Sequence, residues 1–187
     1  MPRSFIKTNT RKASPASIAG LAAKRNGQAA EDILEHTAAR LLHAGVAEIN
    51  KRYEPYKRVS SGAGSTFRGC YLGRSGCDYE IHLFNGKGGH MEVKSREGDR
   101  IEISAIDETQ TAQLLRRMEW GQLALVLVRL QGLWYLVDFR RWLYDEQGKL
   151  YDRKSHNVRQ LSEIGVPLSL VGTHLMIEDG LKKLGHI

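Results

Sequence analysis

The chain of 187 residues carries 28 Lys and Arg against 21 Asp and Glu, so its net charge is +7, and a pI near 9.5 favours an anionic partner such as nucleic acid. With 41% hydrophobic and 26% charged residues it has the composition of an ordinary globular domain, long enough to bury a substantial core. There is neither an apolar run of the roughly 20 residues that span a membrane nor an apolar N-terminal signal segment, so we expect a cytoplasmic protein with no membrane partner.

The first stretch, residues 1–24, contains several cations and no acid, and Ser, Thr, Asn and Pro interrupt its first half. This composition predicts a mobile basic arm, followed by one folded domain over residues 25–187. The arm is either a set of phosphate contacts that order on binding or only a solubilising tail. The candidate DNA contacts in and beside it are Arg11, Lys12, Lys24 and Arg25.

A helix is predicted over residues 26–43, because apolar residues recur there at helical spacing and Gly45 follows as a stop signal. Glu31 lies in its first turns and has two interpretations. It either complements the positive end of the helix dipole or faces the acids of the later hairpin as an outer ligand for metal or water.

Residues 51–59 interleave tyrosines with cations, a pattern that suits stacking on bases beside phosphate contacts. The glycine-rich stretch that follows, residues 60–76, has no acid and is long for a loop of a compact domain. It predicts a protruding basic stalk at about residues 60–75, or else a disordered insertion. The candidate DNA contacts here are Lys51, Arg52, Lys57, Arg58, Arg68 and Arg74.

The two halves of residues 78–95 alternate polar and apolar residues on either side of a glycine-rich break, which predicts a β-hairpin. Asp78, Glu92 and Lys94 share its polar face. Two carboxylates suit Mg²⁺, with Mn²⁺ as a substitute, and a nearby ammonium can hold water or a phosphate. The alternative is a solvated face with a Glu/Lys pair worth about 0–1 kcal/mol. A turn centred on Lys87 would place His82 opposite Glu92, so the metal site needs a bulge, a bend or a shorter turn.

The remaining elements alternate between helices and strands. Asp107 and Gln110 form a capping box for a helix ending near Trp120, which accounts for Gln110 structurally. The apolar run 123–128 predicts a strand covered on both faces, and residues 134–137 pair with it before Asp138 caps a short helix. Later we expect a short strand at 168–171 and a closing helix at 177–184. Trp134 and Trp142 are predicted to be core residues. Neither the histidines nor the two cysteines have zinc spacing.

The order of these motifs resembles the RecU-type Holliday-junction resolvases of the PD-(D/E)xK nuclease superfamily. The matching features cover roughly residues 24–170 and include Arg25-Asn26-Gly27-x-x-x-Glu31, Asn50-Lys51-Arg52-Tyr53-Glu54-Pro55, Asp78, Glu92-Val93-Lys94, Gln110, Asp138-Phe139 and Val166-Pro167-Leu168-Ser169-Leu170. Cys77 stands before Asp78, where the superfamily motif has proline.

The resemblance implies an α/β fold with a restriction-endonuclease-like mixed central β-sheet flanked by helices, and a stalk that enters the junction. It also implies a homodimer that binds four-way DNA junctions and nicks two strands symmetrically with Mg²⁺. By position, Asp78 and Glu92 would be metal ligands, and Lys94, Glu31 and Gln110 catalytic residues. The alternative function is a non-catalytic basic module that binds or bridges DNA and needs only the cationic segments.

Overall fold

The computed structural model describes residues 15–53, 56–59, 68–71 and 76–187, and side chains within 27–53 and 76–187. Its helices are α1 (Pro15–His43), α2 (Glu108–Glu119), α3 (Phe139–Leu143), α4 (Val158–Ile164) and α5 (Ile177–Lys183). Its strands are β1 (Ala47–Lys51), β2 (Tyr56–Val59), β3 (Arg68–Tyr71), β4 (Tyr79–Leu83), β5 (Gly88–Arg96), β6 (Arg100–Glu102), β7 (Leu123–Leu130), β8 (Leu133–Asp138), β9 (Ser155–Asn157), β10 (Gly165–Leu168), β11 (Leu170–Val171) and β12 (His174–Leu175). A 3₁₀ turn (Ile103–Ala105) follows β6. None of the helices in these ranges has both the length and the apolar character to cross a bilayer.

The centre of the molecule is a six-stranded sheet in the order β1-β4-β5-β7-β8-β10. Strands β5 and β7 run parallel, and every other neighbouring pair in this sheet is antiparallel. The connection from β5 to β7 passes through α2, as a parallel pair requires. This mixed sheet flanked by helices confirms the predicted α/β fold class.

Each face of the sheet is covered by a separate hydrophobic core. On one face, Leu34 of α1 and Leu181 of α5 pack with Ile81, and on the other, Leu114 of α2 and Phe139 of α3 pack beside β7. Strand β7 is buried along almost its whole length because it lies between the two cores. Trp134 and Trp142 are buried, one in each core, which confirms their predicted place.

The first helix is longer than predicted. It begins at Pro15 rather than near Asn26, so residues 15–24 of the predicted mobile arm are helical. Proline is favoured in the first helical turn, and the alanine-rich sequence that follows has high helix propensity, which outweighs the cost of Gly27 inside the helix. Residues 1–14 of the arm lie outside the described residues.

Two short strands in the region of the predicted stalk form a two-stranded ribbon. Strands β2 and β3 pair antiparallel, with Tyr56 opposite Tyr71 and Val59 opposite Arg68. They form their own sheet, separate from the central one. Residues 60–67 and 72–75, which make up most of the stalk prediction, lie outside the described part of the chain.

The hairpin of β4 and β5 has the shorter turn that the metal hypothesis required. Tyr79 pairs with Met91, and His82 pairs with Gly88 rather than with Glu92. The turn is closed by bonds from the Leu83 amide to the Lys87 carbonyl and from the Gly86 amide to the Leu83 carbonyl. Continuing this register by one residue places Asp78 directly opposite Glu92.

The cap predicted at Asp138 is confirmed in its position but lacks a side-chain hydrogen bond. Asp138 is the N-cap residue of α3, but its side chain makes no capping hydrogen bond there. Its carboxylate instead pairs with the imidazole Nε2 of His186 at 2.9 Å. The imidazole of His186 therefore replaces the local backbone amide as the partner of Asp138.

His156 makes the fold sensitive to acid. The ring is fully buried between Trp142 and Tyr151, and its Nε2 donates to the Trp142 carbonyl at 3.0 Å. Burial, with smaller effects of Arg153 and Arg100, lowers the pKa of His156 to about 4, against the bond to Trp142, which raises it. The neutral form is therefore favoured in the folded state, and the corresponding stability is lost as pH falls from the unfolded pKa toward the folded one.

We predict that lowering the pH from 7.5 to 5.0 reduces the free energy of unfolding by about 2 kcal/mol through His156 alone. Urea unfolding of the wild type and of His156→Gln at both pH values measures this effect. The drop in stability should be smaller in the variant by about that amount. Equal drops in the two proteins would show that His156 does not carry the acid sensitivity.

Candidate active site

Asp78 and Glu92 meet at the start of the hairpin. The Asp78 amide donates to Oε2 of Glu92 at 3.1 Å, and the Val93 amide donates to Oδ2 of Asp78 at 3.4 Å. These reciprocal bonds hold the two carboxylates side by side on neighbouring strands. The Arg52 amide adds a 2.7 Å bond to the Asp78 carbonyl, which fixes the backbone of Asp78 against the end of β1.

Lys94 and Gln110 complete the cluster. The ammonium of Lys94 lies 2.5 Å from Oε1 of Glu92 and donates to Oε1 of Gln110 at 3.2 Å. The side-chain Nε2 of Gln110 donates to the same Glu92 oxygen at 2.8 Å. Two residues of β5, one residue before β4 and the first turn of α2 therefore converge at one point.

The environment of Glu92 is unusual for a carboxylate. Its side chain is 0% exposed, so it does not lie on a solvated hairpin face as the alternative interpretation proposed. Burial first, and then the negative charge of Asp78, raise the pKa of Glu92, while the ammonium of Lys94 lowers it. The carboxylates of Asp78 and Glu92 are adjacent, and that of Glu92 is desolvated. A divalent cation bound to both would relieve the repulsion between their negative charges.

The two carboxylates of Asp78 and Glu92 are ligands of the kind that Mg²⁺ accepts, and magnesium binding stays a prediction. Mg²⁺ is usually held by one or two carboxylates together with water and phosphate oxygens. Within residues 27–53 and 76–187, no group of three or more His, Cys, Asp and Glu side chains is gathered for a metal. A cation at Asp78 and Glu92 would therefore complete its coordination with water or substrate.

Gln110 has two functions in this arrangement. It forms the predicted capping box, in which its backbone amide donates to Asp107 Oδ1 at 3.0 Å and its side-chain oxygen accepts from the Asp107 amide at 3.1 Å. The same side chain contacts both Lys94 and Glu92. The start of α2 is thus hydrogen-bonded directly to the charged cluster. The capping box therefore accounts for only some of the contacts that the Gln110 side chain makes.

Gln113 is a residue that the sequence analysis missed. Its Oε1 accepts a hydrogen bond from the Cys77 backbone amide at 2.7 Å. Nε2 of Gln110 donates to the Gly76 carbonyl at 3.4 Å, and the Cys77 thiol lies 3.8 Å from the Gln110 carbonyl oxygen. Gly76 has φ +81°, and a Cβ there would lie 2.1 Å from Oε1 of Gln113. Two glutamines one turn apart on α2 therefore clamp the backbone that presents Asp78. The sequence feature that could have identified Gln113 is its spacing of three residues from Gln110 on the predicted helix.

Cys77 fills the position where the resembled motif has proline. It is a buried free cysteine, and burial followed by the charges of Glu92 and Asp78 raises the pKa of its thiol to about 12. The side chain is therefore a neutral packing group. Unlike proline, it supplies the backbone N–H that Gln113 binds.

We predict that Gln113→Leu lowers the affinity for Mg²⁺ by about 10–100-fold, because groups that orient metal ligands have effects of this size. The substitution leaves the Cys77 amide without its acceptor and releases the segment before Asp78. Calorimetric titration with MgCl₂ measures the change. Gln113→Glu keeps the acceptor and should retain more affinity, and Gln28→Leu, on the exposed side of α1, is the matched control. Unchanged affinity in Gln113→Leu would contradict the positioning role.

Glu31 pairs with a residue outside this cluster. Its carboxylate pairs with the ammonium of Lys51 at 2.6 Å, and the pairing raises the pKa of Lys51. Lys51 follows Ala47 and Ile49 on the strand face that packs against α1, whereas Glu92 and Lys94 lie on the face toward α2. The described contacts of Glu31 thus include no hydrogen bond or ion pair to Asp78 or Glu92, and its catalytic role stays a prediction.

The predicted DNA contacts are described only in part. Lys51 pairs with Glu31, and Arg52 lies 3.5 Å from Glu80. Lys24 and Arg25 lie in α1, while Lys57, Arg58 and Arg68 lie in the β2–β3 ribbon, all without described side chains. Arg11, Lys12 and Arg74 lie outside the described residues.

No protein-family model matches this chain, and no curated protein does. Among solved structures, it is similar to Hjc, a Holliday junction resolvase from the archaeal hyperthermophile Archaeoglobus fulgidus, determined at 1.6 Å resolution. The TM-score is 0.44 with 14% sequence identity, over 72% of this chain and 93% of that chain. A likeness at this level does not decide an activity, and the RecU-type resemblance stays a prediction.

Proposed function

We propose that this protein is a Mg²⁺-dependent, structure-selective DNA endonuclease that resolves four-way junctions by hydrolysing phosphodiesters symmetrically as a homodimer. The observation that carries the proposal is the convergence of Asp78, Glu92 and Lys94, with Gln110 bonded to both charged partners on β5. Paired carboxylates beside an ammonium suit hydrolysis of a phosphodiester better than they suit a structural sheet face.

Asp78 and Glu92 would hold the metal, because their carboxylates are adjacent and Glu92 is shielded from water. When bound, a divalent cation lowers the pKa of its water and neutralises charge on the phosphate. Gln110 fixes the position of the Lys94 ammonium. From there Lys94 stabilises the charge that grows on the phosphate oxygens while water attacks phosphorus and the P–O bond to the leaving strand breaks.

Binding to DNA would come from the positive charge rather than from base reading. The net charge of +7 and the acid-free segments at residues 1–25 and 60–76 favour contact with phosphates. Phosphate contacts position a protein on DNA without specifying sequence. Affinity should therefore fall steeply as salt increases.

The homodimer follows from the reaction. Symmetric cleavage of a junction breaks two strands, and each break needs a set of catalytic groups. The described part of this chain contains one cluster formed by Asp78, Glu92 and Lys94. Two copies would supply the two sites in the related orientation that a symmetric oligomer provides.

An end-labelled four-way junction incubated with the protein over a range of MgCl₂ concentrations tests the function. We expect metal-dependent nicks at symmetry-related positions in two opposing strands, and no nicks in EDTA. MnCl₂ should substitute for MgCl₂. A shifted but uncut junction at every metal concentration would instead support the non-catalytic DNA-binding module.

A further inference from the structure

Helix α2 continues beyond the active site on the same face. Gln110, Gln113 and Arg117 occupy positions i, i+3 and i+7 of one helical stripe, and Trp120 follows at i+10 as the C-cap residue of α2. The first two contact the active-site cluster and the segment before Asp78. Arg117 and Trp120 therefore lie on the active-site side of α2, toward its C-terminal end.

The strand register fixes where that end lies. Leu123, which opens β7 just after α2, pairs with Gly89 near the beginning of β5, whereas Gln110 contacts Glu92 and Lys94 further along that strand. Helix α2 thus runs along β5 in the opposite direction. At about 1.5 Å rise per residue, Trp120 lies about 15 Å from Gln110.

Trp120 is unlike the other two tryptophans. It is 62% exposed, whereas Trp134 and Trp142 are 3% and 0% exposed. The guanidinium carbon of Arg117 lies 5.5 Å from the centre of the Trp120 ring, and Nη1 of Arg117 donates to Gln122 at 2.7 Å. An exposed indole ring with a positioned arginine on it combines a stacking surface with a phosphate-binding group.

We propose, on the basis of the nuclease function above, that Trp120 and Arg117 bind a nucleobase left unstacked at the branch point of branched DNA and an adjacent phosphate. A base within a duplex is already stacked between its neighbours, so the ring can stack only on a base that has lost a stacking neighbour, as at a branch point. The contact lies about 15 Å from the catalytic cluster, the length of about four base pairs of B-DNA. It would thereby set the distance between a branch point and the cut.

Intrinsic fluorescence tests this contact without requiring cleavage. The chain has 3 tryptophans, and the two others are buried, so quenching of exposed tryptophan reports Trp120. The full-length wild type in EDTA is titrated with a four-way junction and with a linear duplex of the same arm sequence. We expect quenching by the junction and little by the duplex. Absence of quenching, or equal quenching by both DNAs at saturation, would overturn the proposal.

Affinity measurements on variants separate stacking from charge. Trp120→Ala should weaken junction binding roughly tenfold, the loss of one base stack, and Trp120→Phe should restore most of it. Arg117→Ala should instead reduce the magnitude of the slope of log K against log salt concentration by about one. Phe84→Ala removes another exposed ring, in the β4–β5 turn, and is the control. Wild-type junction affinity in Trp120→Ala would also overturn the contact.

The two proposals can fail separately. Selective quenching by the junction from a protein that never cuts DNA would reject the nuclease and leave the base contact standing. If the protein cuts DNA in a metal-dependent way but its tryptophan fluorescence does not change when the junction is added, only the base contact is rejected.

Discussion

Replacing Lys94 with alanine is expected to reduce the single-turnover rate of junction cleavage by about 10²–10³-fold, because one preorganised group that stabilises transition-state charge is lost. Asp78→Asn should reduce the rate at least as much, because it removes one of the two carboxylates that would hold the metal. Binding to the junction in EDTA should stay within a few-fold of the wild type, since neither side chain is part of the basic segments. Gel-based cleavage and anisotropy measure the two quantities.

Two exposed residues of the loop after α3 supply matched controls. Lys149→Ala and Asp152→Asn remove the same charges at side chains that are 72% and 93% exposed. Both controls should cut at the wild-type rate. Because Lys94→Ala leaves a buried carboxylate without its ammonium, thermal unfolding is recorded alongside, and Lys94→Gln, which can still donate to Glu92, is the second variant. Wild-type cleavage by a folded Lys94 or Asp78 variant would reject the catalytic assignment.

The second large effect is on stability. Without metal, Asp78→Asn should unfold at a higher temperature than the wild type, because it removes the negative charge that opposes the buried carboxylate of Glu92. With Mg²⁺ at 100 times its dissociation constant, the wild type should gain about 2.7 kcal/mol, since the cation binds only the folded state. The variant should gain little. Differential scanning calorimetry with EDTA and with MgCl₂ measures both changes.

Calcium extends this experiment, because it is also a hard cation that oxygen ligands bind. CaCl₂ should raise the unfolding temperature of the wild type and of Asp152→Asn, and much less that of Asp78→Asn. If Mg²⁺ stabilised Asp78→Asn as much as the wild type, the cation would have to bind elsewhere on the protein.

The sequence predicted the features that depend on local chemistry. The alternation around the turn placed Glu92 and Lys94 on one strand face, and the Asp107 and Gln110 spacing predicted the helix cap that is observed. The apolar run of β7 correctly predicted a strand covered on both faces. Each of these signals arises from neighbours within a few residues, where periodicity and capping preferences decide the structure.

Features that depend on tertiary contacts were harder to predict. The alternation of residues allowed several registers of the hairpin, and only the observed turn places Asp78 opposite Glu92. Gln113 acts on Cys77, 36 residues away in sequence, through a backbone amide that no side-chain pattern reveals. Glu31 was given two interpretations because the helix sequence does not say which edge of the sheet it meets, and the structure pairs it with Lys51.

The packing explains why a charged cluster can lie inside a small domain. The donors to Glu92 come from fixed elements: the backbone before β4, Lys94 on β5, and Gln110 at the capped start of α2. A buried charge is tolerated when it is paired and hydrogen-bonded in this way. The same rigidity would hold the carboxylates ready for a cation without rearrangement of the backbone.

The most direct test is a crystal structure of the full chain soaked in MnCl₂, with anomalous diffraction recorded to locate manganese. We expect one strong anomalous peak between the carboxylates of Asp78 and Glu92, at about 2.0–2.2 Å from an oxygen of each, the range of oxygen ligands to hard divalent cations of this size. Carboxylates that remain apart with no peak between them, or a peak only at other side chains, would contradict the account.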